Sequence, residues 1–293
     1  MIAPGSPEWL RLITPSKVPA ILGVSRWQSQ YALWHQMAGR LERSEPKAAQ
    51  QDDFDYGHAA ELAAAEYWRY KNPGWRISRG EVQFTNPHLP FEHVATIDRR
   101  ASRGRGRRVV EIKTARDLAE YGDDGTGAVP QDYAAQILTQ MLITGWHRQA
   151  DVVLWPQYGK PRIYQVGWDA DVAAVIVDRC TAWVESLAAG TPPDLDDSVS
   201  CYEAVRALHP DIDGSTVEID PDLAVRYLAL DAEKKDVEQQ ARAAKTRLLD
   251  AMGTARIAAV GGVKIADRRP ARNDQVALYP ATKNLELLQE NAA

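Results

Sequence analysis

The chain has 293 residues, 45% hydrophobic and 26% charged, enough for one large core or a core with an appendage. Its formal net charge of −5 excludes a protein that coats nucleic acid indiscriminately, so any DNA contact must be a local patch. The two cysteines, Cys180 and Cys201, lack paired spacing and support neither a disulfide framework nor a cysteine-ligated zinc or iron–sulfur site. Residues 1–7 carry no basic region followed by an apolar run, no apolar stretch approaches a membrane span, and there is no G-x-x-x-x-G-K-[ST] phosphate loop. Composition therefore predicts a cytoplasmic, soluble enzyme without an ATP site.

Trp9 and Arg11 lead into Thr14-Pro15-Ser16, where Thr14 is a predicted cap and proline takes the first helical position. A helix start with Ser16 near it and Arg11 just outside suits a terminal phosphate, although most such starts are only caps. The turn Gly23 to Trp27, which includes Arg26, leads to a helix over Tyr31–Gly39. A polar linker around residues 41–53 precedes an alanine-rich helix from Tyr56 to about Tyr70. There Glu61 follows Gly57 by one turn, and that glycine would let a backbone or ligand approach the acid-bearing face. An exposed glutamate on a good helix is the plain alternative.

Strands are predicted over Trp75–Thr85, Glu92–Asp98 and Val109–Ala115. Because strand side chains alternate, Glu111 and Lys113 share one face and Val110 and Ile112 the other. A hairpin between the last two strands would bring Asp98 to the same end as Glu111. Burying acids beside an ammonium costs on the order of several kcal/mol unless something offsets it. A divalent cation on hard oxygen ligands would do so, with the lysine orienting the attacking water. A surface hairpin with a cross-strand salt bridge would show the same pattern. Between the strands, Arg99, Arg100, Arg103, Arg105, Arg107 and Arg108 place six arginines in ten residues with no acid. The run is expected at the hairpin tip beside the carboxylates, where guanidinium groups can hold phosphates.

Residues 121–128, YGDDGTGA, lack the order of a nucleotide fingerprint and are expected to be a flexible loop. A helix from Gln131 to Gly145 puts Tyr133, Gln136 and Gln140 in one polar stripe, opposite Ile137, Leu138, Met141 and Leu142. Amide and phenol groups in such a row can bind phosphate oxygens or water, or simply face solvent. Strands over Ala150–Trp155 and Arg162–Trp168 and a helix from Asp169 to about Ala189 follow. The predicted fold class is α/β, a central mixed sheet flanked by helices. The proline-bearing stretch 191–220 is the expected boundary between a core over 1–190 and an extension over 221–293. In the extension a helix to Met252 carries coiled-coil-like spacing, interrupted by Lys234, over about 45 Å. A β-hairpin with a Gly261-Gly262 turn and a short helix near Asn284–Gln289 complete it.

Five segments taken in order carry a resemblance: Trp9, Arg11 and Ser16 through Leu22-Gly23; Gly57 to Glu61; Asp98; Glu111-Ile112-Lys113; and Tyr133-Ala134-Ala135-Gln136. Over roughly residues 9–185 the chain resembles the YqaJ-like phage recombinases, relatives of lambda exonuclease in the PD-(D/E)xK nuclease superfamily. The resemblance implies a restriction-endonuclease-like core and a magnesium-dependent deoxyribonuclease, with manganese as the substitute metal. It implies an exonuclease that degrades linear double-stranded DNA from its 5′ ends, leaving single strand for recombination by annealing. Asp98 and Glu111, helped by the Ile112 carbonyl, would be metal ligands, and Lys113 would position the nucleophilic water. Glu61 would be a further acid near the metals, directly or through water, and Gln136 with Tyr133 would brace the site. Arg11 and Ser16 would grip a 5′-phosphate; Arg26 and the arginine run complete the expected DNA-binding set. The implied partners are DNA ends, a single-strand annealing protein and further copies in a ring, in a bacterial host cytoplasm if phage-encoded.

Two departures stand out. The Trp9–Arg11 spacing is short, and Thr96-Ile97-Asp98-Arg99 replaces the family's frequent Ser-Pro-Asp-Gly, which leaves the local backbone path open. An endonuclease of the same superfamily, a catalytically silent DNA-binding recombination protein and a structural α/β protein are the rival readings.

Overall fold

The computed structural model describes residues 1–43, 45, 48–271 and 275–292, without the side chains of 290–292. The chain divides into two compact units, Met1–Asp211 and Ile212–Ala293. Among the described residues no helix is long and apolar enough to cross a membrane.

The first unit opens with three short helices, α1 (Pro7–Arg11), α2 (Val18–Ile21) and α3 (Gln30–Met37). Ser6 and Ser29 cap α1 and α3, their hydroxyls accepting from the Trp9 and Ala32 N–H groups. The helix expected from Thr14 starts only at Val18, because Thr14 to Lys17 is a turn closed by the Lys17 N–H on the Thr14 carbonyl at 2.9 Å. The anion site expected at a helix start near Ser16 is therefore absent in that form. By contrast α4 (Ala48–Lys71) begins well before Tyr56. Its first residues are polar and exposed, so no apolar stripe announces them.

The strand expected over Trp75–Thr85 is two, β1 (Arg76–Ile77) and β2 (Val82–Phe84), in different sheets. Ser78 ends the first: its hydroxyl accepts the Arg100 N–H at 2.9 Å and donates to the Gly80 carbonyl at 2.8 Å, turning the chain away. β3 (Ala95–Ile97) pairs with β2, so the partner of the catalytic-looking strand is the next segment, β4 (Arg99–Arg103). β4 forms an antiparallel hairpin with β5 (Gly106–Ala115) in the register Arg99↔Val110. One step further along that register sets Asp98 opposite Glu111.

Helix α5 (Gln131–Thr144), ended by Gly145 in the left-handed region at φ 71°, is the crossover to β6 (Gln149–Pro156). It makes β5 and β6 parallel, which a tight turn cannot do. With β7 (Arg162–Gly167) the main sheet has the order β1-β4-β5-β6-β7, antiparallel at every other pairing. The loop over 121–128 is tied along β7: Gly125 N–H donates to Ile163 O at 3.0 Å, and Asp124 Oδ1 accepts from Ile163 N–H at 2.7 Å. Its glycines serve that close docking, not flexibility. The helix expected from Asp169 to about Ala189 is α6 (Ala170–Ala189), with Asp169 as its cap.

Helices cover both faces of the sheet. On one, Ala64, Ala65 and Trp68 of α4 pack on Ala101, Val110, Ile112 and Val153. On the other, Ile137 and Met141 of α5, with residues of α2, α3 and α6, pack on Val109, Val152 and Leu154. Inside the expected boundary stretch, α7 (Val199–Leu208) packs on α3, and the first unit runs to Asp211.

In the second unit α8 (Pro221–Met252) is capped by Asp220, and its spaced residues Leu223, Tyr227, Leu230 and Val237 are exposed. β8 (Ile257–Val260) and β9 (Val263–Pro270) form the predicted hairpin, with Gly261 and Gly262 at φ 56° and 83°. A strand the sequence did not announce, β10 (Val276–Pro280), adds to β9, and α9 (Leu285–Ala292) follows.

Candidate active site

β5 is buried on both faces from Val109 to Ile112, so Glu111 sits 2% exposed in the sheet interior. The face carrying Glu111 and Lys113 meets α5, and here the predicted polar stripe faces inward. Glu111 Oε1 accepts from Lys113 Nζ at 2.7 Å and from Gln136 Nε2 at 2.6 Å. Glu111 Oε2 accepts from Gln140 Nε2 at 2.7 Å. Gln136 also accepts from Lys113 Nζ at 3.2 Å, closing a small ring of bonds. Gln140 is fully buried and, among the described residues, its Oε1 has no partner, a costly state for a buried amide. Sequence reasoning put Gln140 in the stripe but gave it no role; its i, i+4 spacing from Gln136 was the usable signal.

Asp98 joins this cluster from the bend between β3 and β4. Its Oδ2 accepts the Ile112 N–H at 2.7 Å, while among the described residues no donor meets Oδ1. Burial first, and then the Glu111 charge, hold the Asp98 carboxyl well above the usual carboxylate range, against the pull of Lys113 and the Ile112 N–H. Lys113 is subject to the opposite balance. Burial disfavours its ammonium, but the Glu111 and Asp98 carboxylates raise it above the ordinary lysine value, so it stays protonated at neutral pH. Tyr133 lies beneath Lys113, with the ammonium 5.0 Å from the ring centroid and the Arg26 guanidinium 5.3 Å from it. Arg26 is itself held by Asp132 at 3.0 Å and by Glu120.

The arginine run is not a loop beside the acids. Arg99 to Arg103 is strand β4, and Arg107 and Arg108 begin β5, so the side chains alternate across the sheet. The turn, with Gly104 and Arg105, lies at the far end of the hairpin from Asp98, about 16 Å away at 3.3 Å per residue. Only Arg99 reaches the acid cluster, pairing with Glu61 of α4 at 3.3 Å. Arg108 is spent on buried Asp151 at 2.7 Å and lies over Trp75. Arg100, Arg103, Arg105 and Arg107 are exposed. The expected solvated tip beside the acids is thus divided: Arg99 and Arg108 are drawn into the fold by acid partners, and the exposed arginines lie along the strands and at a turn remote from Asp98.

Arg11 and Ser16 are both exposed, but in different clefts. Arg11 lines two that include Glu92, whereas Ser16 lines a third with Lys17, Arg26 and Arg43. Behind Ser16, Lys17 is buried and donates to the carbonyls of Trp9, Leu10 and Leu12 at 2.7, 2.9 and 2.8 Å. Burial, and then Arg43, lower its ammonium to about 7.

Among the described residues no group of three or more His, Cys, Asp or Glu side chains stands ready to hold a metal ion. Two carboxylates and the Ile112 carbonyl remain, hard oxygen donors of the kind magnesium takes together with waters and substrate phosphates. Burial first, and then the neighbouring Glu111, disfavour the charged form of Asp98, and a cation bound between the two acids would offset both. The residues present fit a divalent cation.

Residues 8–147 match the family model of the YqaJ-like viral recombinase domain. The matched stretch, a little under half of the chain, is similar to that domain. The match spans α1 to α5 and includes Asp98, Glu111, Lys113, Glu61, Gln136 and Gln140. Among solved structures, an alkaline exonuclease from Laribacter hongkongensis is 18% identical over 62% of this chain and 91% of its own, at a TM-score of 0.49. A putative exonuclease from Eubacterium rectale is 10% identical over 71% of this chain and 91% of its own, at 0.46. A phage-related exonuclease from Haemophilus somnus 129PT is 12% identical over 60% and 93%, at 0.42. No curated protein matches the chain in sequence.

Proposed function

We propose that this chain is a magnesium-dependent DNA exonuclease that degrades linear duplex from 5′ ends and so exposes single strand for annealing-type recombination. The observation that carries the reading is the meeting of Asp98, Glu111 and Lys113 at one buried point inside the stretch similar to the recombinase domain. A magnesium ion held by Asp98, Glu111 and the Ile112 carbonyl would supply Lewis-acid charge to the phosphate and lower the pKa of the attacking water. Lys113, kept protonated by its acid neighbours, is a hydrogen-bond donor that orients that water, not a base that deprotonates it. Gln136 and Gln140 hold both Glu111 oxygens, which fixes the carboxylate without adding charge. Tyr133 supports Lys113 from below, and the burial that surrounds these groups strengthens each electrostatic contact.

Ser16, with Arg26 in the same cleft, is the proposed seat of a 5′-phosphate, and Arg11 serves from a neighbouring cleft. Exposed Arg100, Arg103, Arg105 and Arg107 extend the contact along the duplex backbone. An annealing protein and a ring of copies around DNA belong to the same proposal.

Linear duplexes differing only in 5′-phosphate or 5′-hydroxyl, incubated with magnesium or chelator beside a closed circle, test the reading. Magnesium-dependent, phosphate-stimulated loss of the linear form alone is expected. Equal cutting of the circle would make the enzyme an endonuclease, and tight binding without cutting would make it a silent binder.

A further inference from the structure

Asp98 is held at both ends. Ile112 N–H takes one carboxylate oxygen at 2.7 Å, and the backbone carbonyl accepts from the Arg99 guanidinium at 2.6 Å. The same Arg99 nitrogen, Nη1, reaches Glu61 Oε2 at 3.3 Å. The Arg99 side chain is 4% exposed and that of Glu61 23%. In the ladder Arg99 stands opposite Val110, whose side chain packs on α4, so the guanidinium is enclosed between sheet and helix. A phosphate in solvent is out of its reach. A buried guanidinium needs an acid, and Glu61 supplies it from a helix otherwise remote in the chain.

We propose that Arg99 and Glu61 are a positioning pair that locks the backbone of Asp98, so that its free carboxylate oxygen points at the cation. Arg99 acts through Asp98, and Glu61 acts through Arg99. Arg99 is then not a DNA-phosphate contact, and Glu61 is not a metal ligand. The pair does at this bend what a rigid turn sequence would do elsewhere, since Thr96-Ile97-Asp98-Arg99 contains neither proline nor glycine. The inference rests on the nuclease reading and concerns a different link of it.

The test compares the full chain with Arg99→Lys, Arg99→Met, Glu61→Gln and the Glu61→Gln/Arg99→Met double variant, each checked by thermal melting. Three quantities are measured: magnesium needed for half-maximal cleavage, manganese binding by calorimetry without DNA, and the salt dependence of DNA binding without metal. Arg99→Met should weaken both metal readouts about 10- to 100-fold, the usual effect of losing a group that orients a ligand. The salt slope should not change. Glu61→Gln should weaken metal binding less, the double variant should be no worse than Arg99→Met, and Arg99→Lys should recover part of the loss.

A salt slope smaller by about one in Arg99→Met would make Arg99 a phosphate contact and overturn the pair. So would a Glu61→Gln loss that adds in full to that of Arg99→Met, which would mark an independent ligand. Should Arg99→Met fail to fold, Arg99→Lys and Glu61→Gln decide by the same readouts. Wild-type protein that neither cuts nor binds manganese removes the nuclease reading; wild-type cutting with unchanged metal dependence in the variants removes the pair alone.

Discussion

Asp151 offers a sharp test of which arginines serve the fold. It is 1% exposed on β6 and accepts from Trp68 Nε1 at 2.8 Å, Arg108 Nη1 at 2.7 Å and Gln149 Nε2 at 2.6 Å. Asp151→Ala strands a buried indole N–H and a guanidinium whose side chain is 17% exposed. Removing one partner of a buried pair costs about 3–5 kcal/mol. Arg108 and Gln149 keep partial access to water, which favours the lower end, about 3 kcal/mol. For a unit of this size each kcal/mol moves the melting temperature by about 2–4 °C, so a fall of roughly 6–12 °C is expected. Asp151→Asn keeps an oxygen in place and should lose about half as much, and Trp68→Phe, which removes one donor with its bond, about 1 kcal/mol. Melting followed by circular dichroism and urea titration followed by tryptophan fluorescence measure these losses. Cleavage per folded molecule should not change, because the network faces α4 and not the acid cluster. A loss below about 1 kcal/mol, or tenfold weaker DNA binding at equal stability, would refute the structural role given to Arg108.

Lys113→Ala should abolish cleavage and leave the circular dichroism spectrum intact; undiminished turnover would remove this lysine from the mechanism. The raised carboxyl of Asp98 has a linked consequence for stability. Its proton is bound more tightly in the fold than in the unfolded chain, so its contribution falls as pH rises from the ordinary carboxylate value of 3.8 through the folded value. Asp98→Asn removes that penalty. The variant should therefore melt higher than wild type at pH ~8, by a margin that shrinks toward pH ~4, and magnesium should raise the melting temperature of wild type only. A wild type that melts higher at the alkaline end without metal would contradict this. Gln140→Met removes a bond to Glu111 together with an orphaned acceptor, so stability should stay within about 1–2 kcal/mol while the magnesium requirement rises about tenfold. Unchanged magnesium dependence would leave Gln140 as packing.

The polar face shared by β5 and α5 was legible because it is local. Alternation in β5 fixes that Glu111 and Lys113 share a side, and helical spacing fixes that Tyr133, Gln136 and Gln140 do too. The Gly-Gly turn is local in the same sense. What stayed hidden depends on distant partners. A run of arginines is solvated by default, and burial of Arg99 and Arg108 needs Glu61 and Asp151, 38 and 43 residues away. The split between β1 and β2 depends on Ser78 meeting Arg100, 22 residues on. The polar start of α4 carries no periodicity to read, and Arg11 and Ser16 diverge because the turn at Thr14 sets the path between them.

Helix α5 has two tasks at once: it carries the chain back so that β6 can run alongside β5, and it delivers the two amides to Glu111. Chemistry and folding thereby share a hinge in time. A nascent polypeptide that has formed only the β4–β5 hairpin leaves its acids open to water and its lysine unsupported. The acid cluster is complete only once the crossover is: the hairpin by itself lacks the two amides that hold Glu111.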